Sequence, residues 1–278
     1  MEHNTSLFDR KTISSAKRVI LTPFRGLSTE ERWELETAQV LSVLDEYLQR
    51  AHVVLDFGVG IGRIAKAILE KYPDIKVIGV DSSEAMLDFC REYIQRQYFN
   101  EGRIQLYNFS QISAIQTNAV DFILAIYVLQ HVSTNALGET LEHLQRILKP
   151  SGYLYVLNHY GRLSVAEDSH PTGYFAKWLT KIRSLPIKIP KSVEFLYTLT
   201  RIQRRFINKE IRRFFFNDGI NLENLLQERF QFVKQISFSN PYMQEVMSLH
   251  FSNLYVSKAS PIANHCLPSD STQEPLLL

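Results

Sequence analysis

Residues 53 to 68 read VVLDFGVGIGRIAKAI, an apolar run that ends in an acid and then in three alternating glycines before apolar residues resume at helical spacing. A strand that stops at a glycine turn and reopens as a helix sets backbone N–H groups and the positive helix end at the carboxyl edge of a sheet. That junction commits the chain to an α/β architecture, because the helix must pack back onto the sheet before the next parallel strand begins. The sequence keeps this rhythm. IKVIGV is a second strand, SSEAMLDFCREYIQRQ a helix with serines suited to its cap, RIQLYNF a third strand and AVDFILAIYV a fourth. The fourth lacks polar alternation, as expected of a strand covered on both faces. STNALGETLEHLQRIL is a helix stopped by Lys149-Pro150-Ser151-Gly152, and GYLYVLN is a fifth strand.

Five segments follow from this reading. Residues 1–50 are an N-terminal helical segment, in which Ser28 and Glu31 form a capping box and Leu35, Ala38, Leu41, Val43, Leu44, Tyr47 and Leu48 give an apolar face. Residues 51–158 are the core of alternating strands and helices. Residues 159–216 break the rhythm with Pro171, Pro186 and Pro190 and read as a helical insertion. Residues 217–259 complete the core with a helix (NLENLLQERF) and two strands (QFVKQISFS and HFSNLYVSKA), which lack a helix between them and so are expected to pair antiparallel. The tail 260–278 is polar, contains proline and reads as disordered. The fold class is therefore α/β, a Rossmann-like doubly wound sheet of seven strands, mostly parallel with an antiparallel last strand, plus a helical cover.

With 278 residues, 45% apolar and 22% charged, the chain has the composition of a globular protein. Its two cysteines, Cys90 and Cys266, have no metal-ligand spacing and suit a reducing compartment, so a cytoplasmic location is expected and no metal is implied. No run reaches the roughly 18 apolar residues of a bilayer span, and MEHNTSLFDRK puts charges where a signal peptide needs an apolar stretch. Charge is uneven: residues 160–216 hold twelve Lys/Arg against four Asp/Glu, while the remainder holds nineteen against twenty-five.

A dinucleotide site requires G-x-G-x-x-G, since the third glycine lets the helix pack beneath a pyrophosphate. Here Gly58-x-Gly60-x-Gly62 is followed by Arg63, so that spacing fails, and no separate substrate domain of a dehydrogenase is evident. A tight turn that binds nothing is the plain alternative. Asp81 weighs against it, because a carboxylate ending the second strand can accept both hydroxyls of a ribose lying across the sheet edge.

With those residues in place, the chain resembles the class I S-adenosylmethionine-dependent methyltransferases, in particular the small-molecule branch of the ubiquinone and menaquinone type. The matching pieces are VLDFGVGIGRIA, GVDSSEAML, VDFILAIYVLQHV and LKPSGYLYV, in order over residues 51–158. The resemblance implies S-adenosylmethionine as cofactor. Gly58, Gly60 and Gly62 would pass close to its methionine part and Asp56 would fix the loop or reach the amino group. Asp81 and Ser82 would face the ribose, Met86 would lie beside the adenine, and Asn108, where the family commonly has an acid, would meet the adenine amino group with Phe109 next to it. Ala125 and Ile126 would surround the sulfonium.

Methyl transfer is an in-line displacement that depends chiefly on positioning, with a general base where the acceptor is a hydroxyl or acidic carbon. His131 and His159 follow the fourth and fifth strands and are the candidate bases, each with a pocket-lining or structural role as the alternative; Tyr127 and Tyr160 are candidate acceptor contacts. The basic insertion suits a cover over a small, partly apolar acceptor that is anionic or carrier-bound. Nucleic acid is disfavoured, because the site after the fourth strand reads AIYVLQHV rather than an Asn/Asp-Pro-Pro-aromatic motif. RNA methylation and a catalytically silent partner protein are the alternatives, and the oligomeric state and the methylated atom stay open.

Overall fold

A computed structural model describes residues 12–24, 26–159, 219–247 and 250–258. The strands are β1 (Val53–Phe57), β2 (Lys76–Asp81), β3 (Ile104–Asn108), β4 (Val120–Ile126), β5 (Leu148–His159), β6 (Phe230–Gln235) and β7 (His250–Ser257), in one sheet of order β3-β2-β1-β4-β5-β7-β6. β1 to β5 are mutually parallel, and β7 runs antiparallel between β5 and β6. This is the seven-stranded, mostly parallel sheet expected from the sequence. The helices are α1 (Ile13–Ile20), α2 (Thr29–Leu48), α3 (Arg63–Lys71), α4 (Glu84–Tyr93), α5 (Arg96–Asn100), α6 (Thr134–Ile147), α7 (Gly219–Arg229) and α8 (Pro241–Met247).

Apolar side chains from α2, α3, α4 and α8 bury one face of the sheet, and those from α6 and α7 bury the other. With both faces covered, β1 and β4 carry near-continuous apolar runs. Residues 160–216 of the insertion and the tail 260–278 lie outside the described residues.

Three elements differ from expectation. The stretch read as one helix from Ser82 stops at Tyr93, and α5 is separate. The connection from β6 to β7 contains α8, whose Met243 and Val246 are buried; the antiparallel pairing is as expected, but a helix does intervene. The buried stripe of α2 passes through Arg32, Trp33, Glu36, Val40, Leu41, Leu44 and Leu48, whereas Ala38 is exposed. Two charged residues can occupy that stripe because Arg32 Nε donates to Glu36 Oε1 at 2.8 Å, one helical turn apart. The capping box is formed as read: Glu31 N donates to Ser28 Oγ at 3.2 Å, and Ser28 N to Glu31 Oε2 at 2.7 Å.

The glycines after β1 have φ of +79° (Gly58), +54° (Gly60) and +86° (Gly62), a region costly to residues with a Cβ. At Gly62 a Cβ would also lie 2.7 Å from Ile94 Cδ1 and 2.8 Å from Cys90 Sγ, whereas at Gly102, with φ of +66°, it would meet nothing within 4 Å. Gly62→Ala is expected to cost about 1–2 kcal/mol for the backbone and roughly 1–3 more for overpacking. Gly102→Ala should cost only the first part. Urea unfolding of both variants checks this, and equal losses would refute the packing contribution.

Candidate active site

Strand order reverses between β1 and β4, and the crevice outside their carboxyl ends is where open α/β sheets bind ligands. Around it lie the β1–α3 loop, the end of β2 and the β4–α6 connection. Gly58 N and Val59 N both donate to Val80 O, at 2.7 and 3.0 Å, and Gly60 N donates to Asp81 Oδ2 at 2.8 Å. Asp81 Oδ1 accepts from Ser83 N at 2.9 Å, so one carboxylate joins the glycine loop to the turn that starts α4. Burial pushes the Asp81 carboxyl up, and the N–H groups of Ser83 and Gly60 pull against that shift. A carboxylate has about four acceptor positions, so beside the N–H groups of Gly60, Ser83 and Ser82 it keeps acceptor capacity for hydroxyls.

Asp56 is 4% exposed, and its Oδ2 accepts from Ala65 N at 3.2 Å, satisfying one of the first N–H groups of α3. This bond ties the end of β1 to the start of α3. Burial raises its pKa to about 7 against the opposing charge of Arg63.

Other sequence-derived residues are placed as follows. Ser82 is half-buried, and its carbonyl accepts from Asn108 Nδ2 at 3.4 Å. Asn108 Oδ1 accepts from both Ser110 N (3.0 Å) and Ser110 Oγ (2.8 Å), while its Nδ2 also donates to Glu84 Oε1 at 2.8 Å. The amide oxygen is thus engaged by the turn after β3. Phe109 is buried, edge-on to Phe57 at 5.9 Å. Met86 is 1% exposed among Ala16, Leu21, Trp33 and Ile61, a core position beneath α1 rather than an open face. Ala125 is fully buried with Phe57 and Val156 as ladder partners, and Ile126 and Tyr127 follow at the strand's end.

Tyr127 has φ of +56°, rare for an aromatic residue, and its N–H donates to Leu157 O at 2.7 Å. Burial, and then the negative charge of Glu36, pushes its hydroxyl pKa up, which keeps the phenol neutral. His131 closes the short turn Leu129–His131; Gln130 Nε2 approaches its Nε2 at 3.3 Å, and Gln130 N donates to Asn158 Oδ1 on β5 at 3.2 Å. The backbone of His159 ends β5 opposite His250, and its side chain lies outside the description. Tyr160 lies outside the described residues.

Residues 54–152 match the family model described as "Methyltransferase domain". Over these residues the core is similar to methyltransferase domains. Curated relatives include the demethylmenaquinone methyltransferase of Chlamydia pneumoniae (30% identical, 46% of this chain and 52% of that one) and the trans-aconitate 2-methyltransferase of Variovorax paradoxus (32%, 39% and 39%). A tRNA N(3)-methylcytidine methyltransferase of Schizosaccharomyces pombe is 24% identical over 36% of this chain and 42% of its own length. The chain thus spans about half or less of the length of these relatives. Among solved structures, a protein of Pyrococcus horikoshii superposes with a TM-score of 0.53 at 17% identity, covering 82% of this chain and 92% of that one. A SAM-dependent methyltransferase from Aquifex aeolicus gives 0.51 at 16% identity, covering 82% and 93%. These likenesses show the Rossmann-like fold.

The sequence reading passed over a polar cluster beside the domain's loop. Arg63, which in the sequence only breaks the dinucleotide spacing, is buried, with Nη1 donating to Thr37 Oγ1 at 3.2 Å and its guanidinium 5.6 Å from the Trp33 ring. Tyr242 of α8 donates to Glu36 Oε1 at 3.2 Å, and burial, then Glu36, raises its pKa to about 12. His250 packs edge-on to Tyr127 at 5.3 Å and donates from Nδ1 to Val246 O, and burial lowers its pKa to about 4. The signal was present in Arg32 and Glu36, a charge pair four apart on an otherwise apolar stripe.

With a folded pKa near 7 against an ordinary 3.8, Asp56 keeps a proton in the folded protein that the unfolded chain has released between about pH 4 and 7. Stability is therefore expected to fall as pH rises through that window. Asp56→Asn should make the fall in Tm from pH 4 to 7 shallower; an unchanged slope in thermal scans would show that Asp56 titrates normally.

Among the described residues, no helix is long and apolar enough to cross a membrane, and no group of three or more His, Cys, Asp or Glu could hold a metal.

Proposed function

We propose that the chain is a class I S-adenosylmethionine-dependent methyltransferase acting on a small-molecule acceptor. The observation that carries this reading is Asp81, which ends β2, holds Gly60 and Ser83, and keeps acceptor capacity for a ribose diol. The residues fit the cofactor: three glycines with positive φ give close backbone approach, and the loop lacks the spacing for a pyrophosphate. The cationic Arg63 at the start of α3 suits the cofactor's carboxylate.

The bound cofactor supplies a methyl group on a sulfonium, which leaves as a neutral thioether. The chain's own residues then position the acceptor in line with that methyl group. Tyr127, a neutral phenol at the end of β4, serves as a hydrogen-bond donor or apolar wall rather than a base. His131, held by the Gln130–Asn158 link, and His159 at the end of β5 are the candidates to take the acceptor proton when oxygen or an acidic carbon is methylated. Small-molecule methyltransferases among the relatives, including the menaquinone type, favour this acceptor class. The basic excess of the 159–216 insertion suits an anionic or carrier-bound acceptor. RNA is the second reading, favoured by the yeast tRNA methyltransferase relative; steeply salt-dependent RNA retention on filters would favour it.

Calorimetry should show S-adenosylmethionine and S-adenosylhomocysteine binding while NAD does not. Asp81→Ala should weaken both by about 10–100-fold through loss of charged hydrogen bonds. Failure of the wild type to bind either, or binding indifferent to the substitution, would refute the cofactor assignment.

A further inference from the structure

Glu36 is the most deeply buried carboxylate of the polar cluster beside the loop, 2% exposed on the inner stripe of α2. Among the described residues its hydrogen bonds all fall on one oxygen: Oε1 accepts from Arg32 Nε at 2.8 Å and Tyr242 Oη at 3.2 Å and lies 2.6 Å from Arg32 Nη2, while Oε2 has no hydrogen-bond partner among them. Among the described residues, Thr29 Oγ1 is the only enclosed side-chain polar atom lacking a partner. Oε2 is therefore approachable rather than sealed in packed protein. A half-satisfied carboxylate at this depth is costly unless something with N–H groups and positive charge completes it.

Arg63 presents the complementary situation. It is 7% exposed and, among the described residues, makes one side-chain hydrogen bond, to the hydroxyl of Thr37, the residue next to Glu36. Glu36 is the largest charge acting on Arg63, yet the two form no ion pair within 4 Å. Opposite charges that are buried as neighbours and kept apart suit a ligand that carries both signs. An α-amino acid end does so, with a carboxylate for the guanidinium and an ammonium for the carboxylate.

We infer that Glu36, through Oε2, binds the ammonium of the amino-acid end of the methyl donor, with the Arg32 and Tyr242 contacts holding its side chain in place. This rests on the proposed cofactor reading and extends it from the glycine loop to α2. The consequence is selectivity: the site distinguishes a nucleoside thioether that carries the amino-acid end from one that lacks it.

The test compares S-adenosylhomocysteine with 5′-methylthioadenosine, which retains the nucleoside and sulfur but has no amino-acid end, on wild type and Glu36→Gln. The amide keeps the shape and an acceptor oxygen but loses the charge. Glu36→Gln is expected to weaken S-adenosylhomocysteine by about 10-fold or more and to leave 5′-methylthioadenosine within about 2-fold. A deaminated analogue of S-adenosylhomocysteine should bind both proteins alike. Unchanged S-adenosylhomocysteine affinity, including the case where only kcat falls, would overturn the inference and move Glu36 to the acceptor side. Equal losses for both nucleosides would also overturn it, since that marks a collapsed site. Wild type that binds neither nucleoside would refute the cofactor reading itself, and this inference with it.

Discussion

The carboxylate of Asp81 is the contact on which the site depends. It accepts from Gly60 N on one side and Ser83 N on the other, and with the two bonds onto Val80 O it fastens the glycine loop to the end of β2. Two βα turns that would otherwise be independent surface loops become one rim. Left-handed glycines allow the chain to take that path, and Asp56 holds its far side by accepting from Ala65 at the start of α3. The rim is thus fixed by backbone geometry and two acids, each pushed up in pKa by the burial its role requires.

Above the rim, α2 has a second role besides packing. Its lower half is an apolar face on the sheet, through Val40, Leu41, Leu44 and Leu48, while its upper half brings Arg32, Trp33 and Glu36 to the polar cluster. The Arg32–Glu36 pair allows charge to sit in that stripe, and Tyr242 ties it to the β6–β7 connection. Elements distant in sequence therefore meet at the side of the crevice where Tyr127 stands.

Much of the fold was legible because each parallel strand is an apolar run ending in a turn signal, so seven strands and their order of appearance could be read directly. Asp56, the three glycines and Asp81 were legible for the same reason: each is a local exception at a strand end. What escaped were features set by tertiary contact. α8 is a seven-residue helix whose burial, not its pattern, makes it stable. On α2, Leu41, Leu44 and Leu48 are inside as read, but an apolar count ranks Ala38 above Glu36, whereas pairing with Arg32 lets Glu36 go inside. The contacts of Asn108 with Ser110 and Glu84 are likewise tertiary details that its position at the end of a strand does not announce.

The central claim is that the Asp81 rim is a ribose and methyl-donor site rather than a structural turn. A crystal structure with S-adenosylhomocysteine tests it most directly. The account predicts both ribose hydroxyls donating to Asp81 while its bonds from Gly60 and Ser83 persist, with the thioether sulfur at the β1–β4 crevice. A nucleoside bound elsewhere, or an Asp81 carboxylate without contact to the ribose, would contradict it.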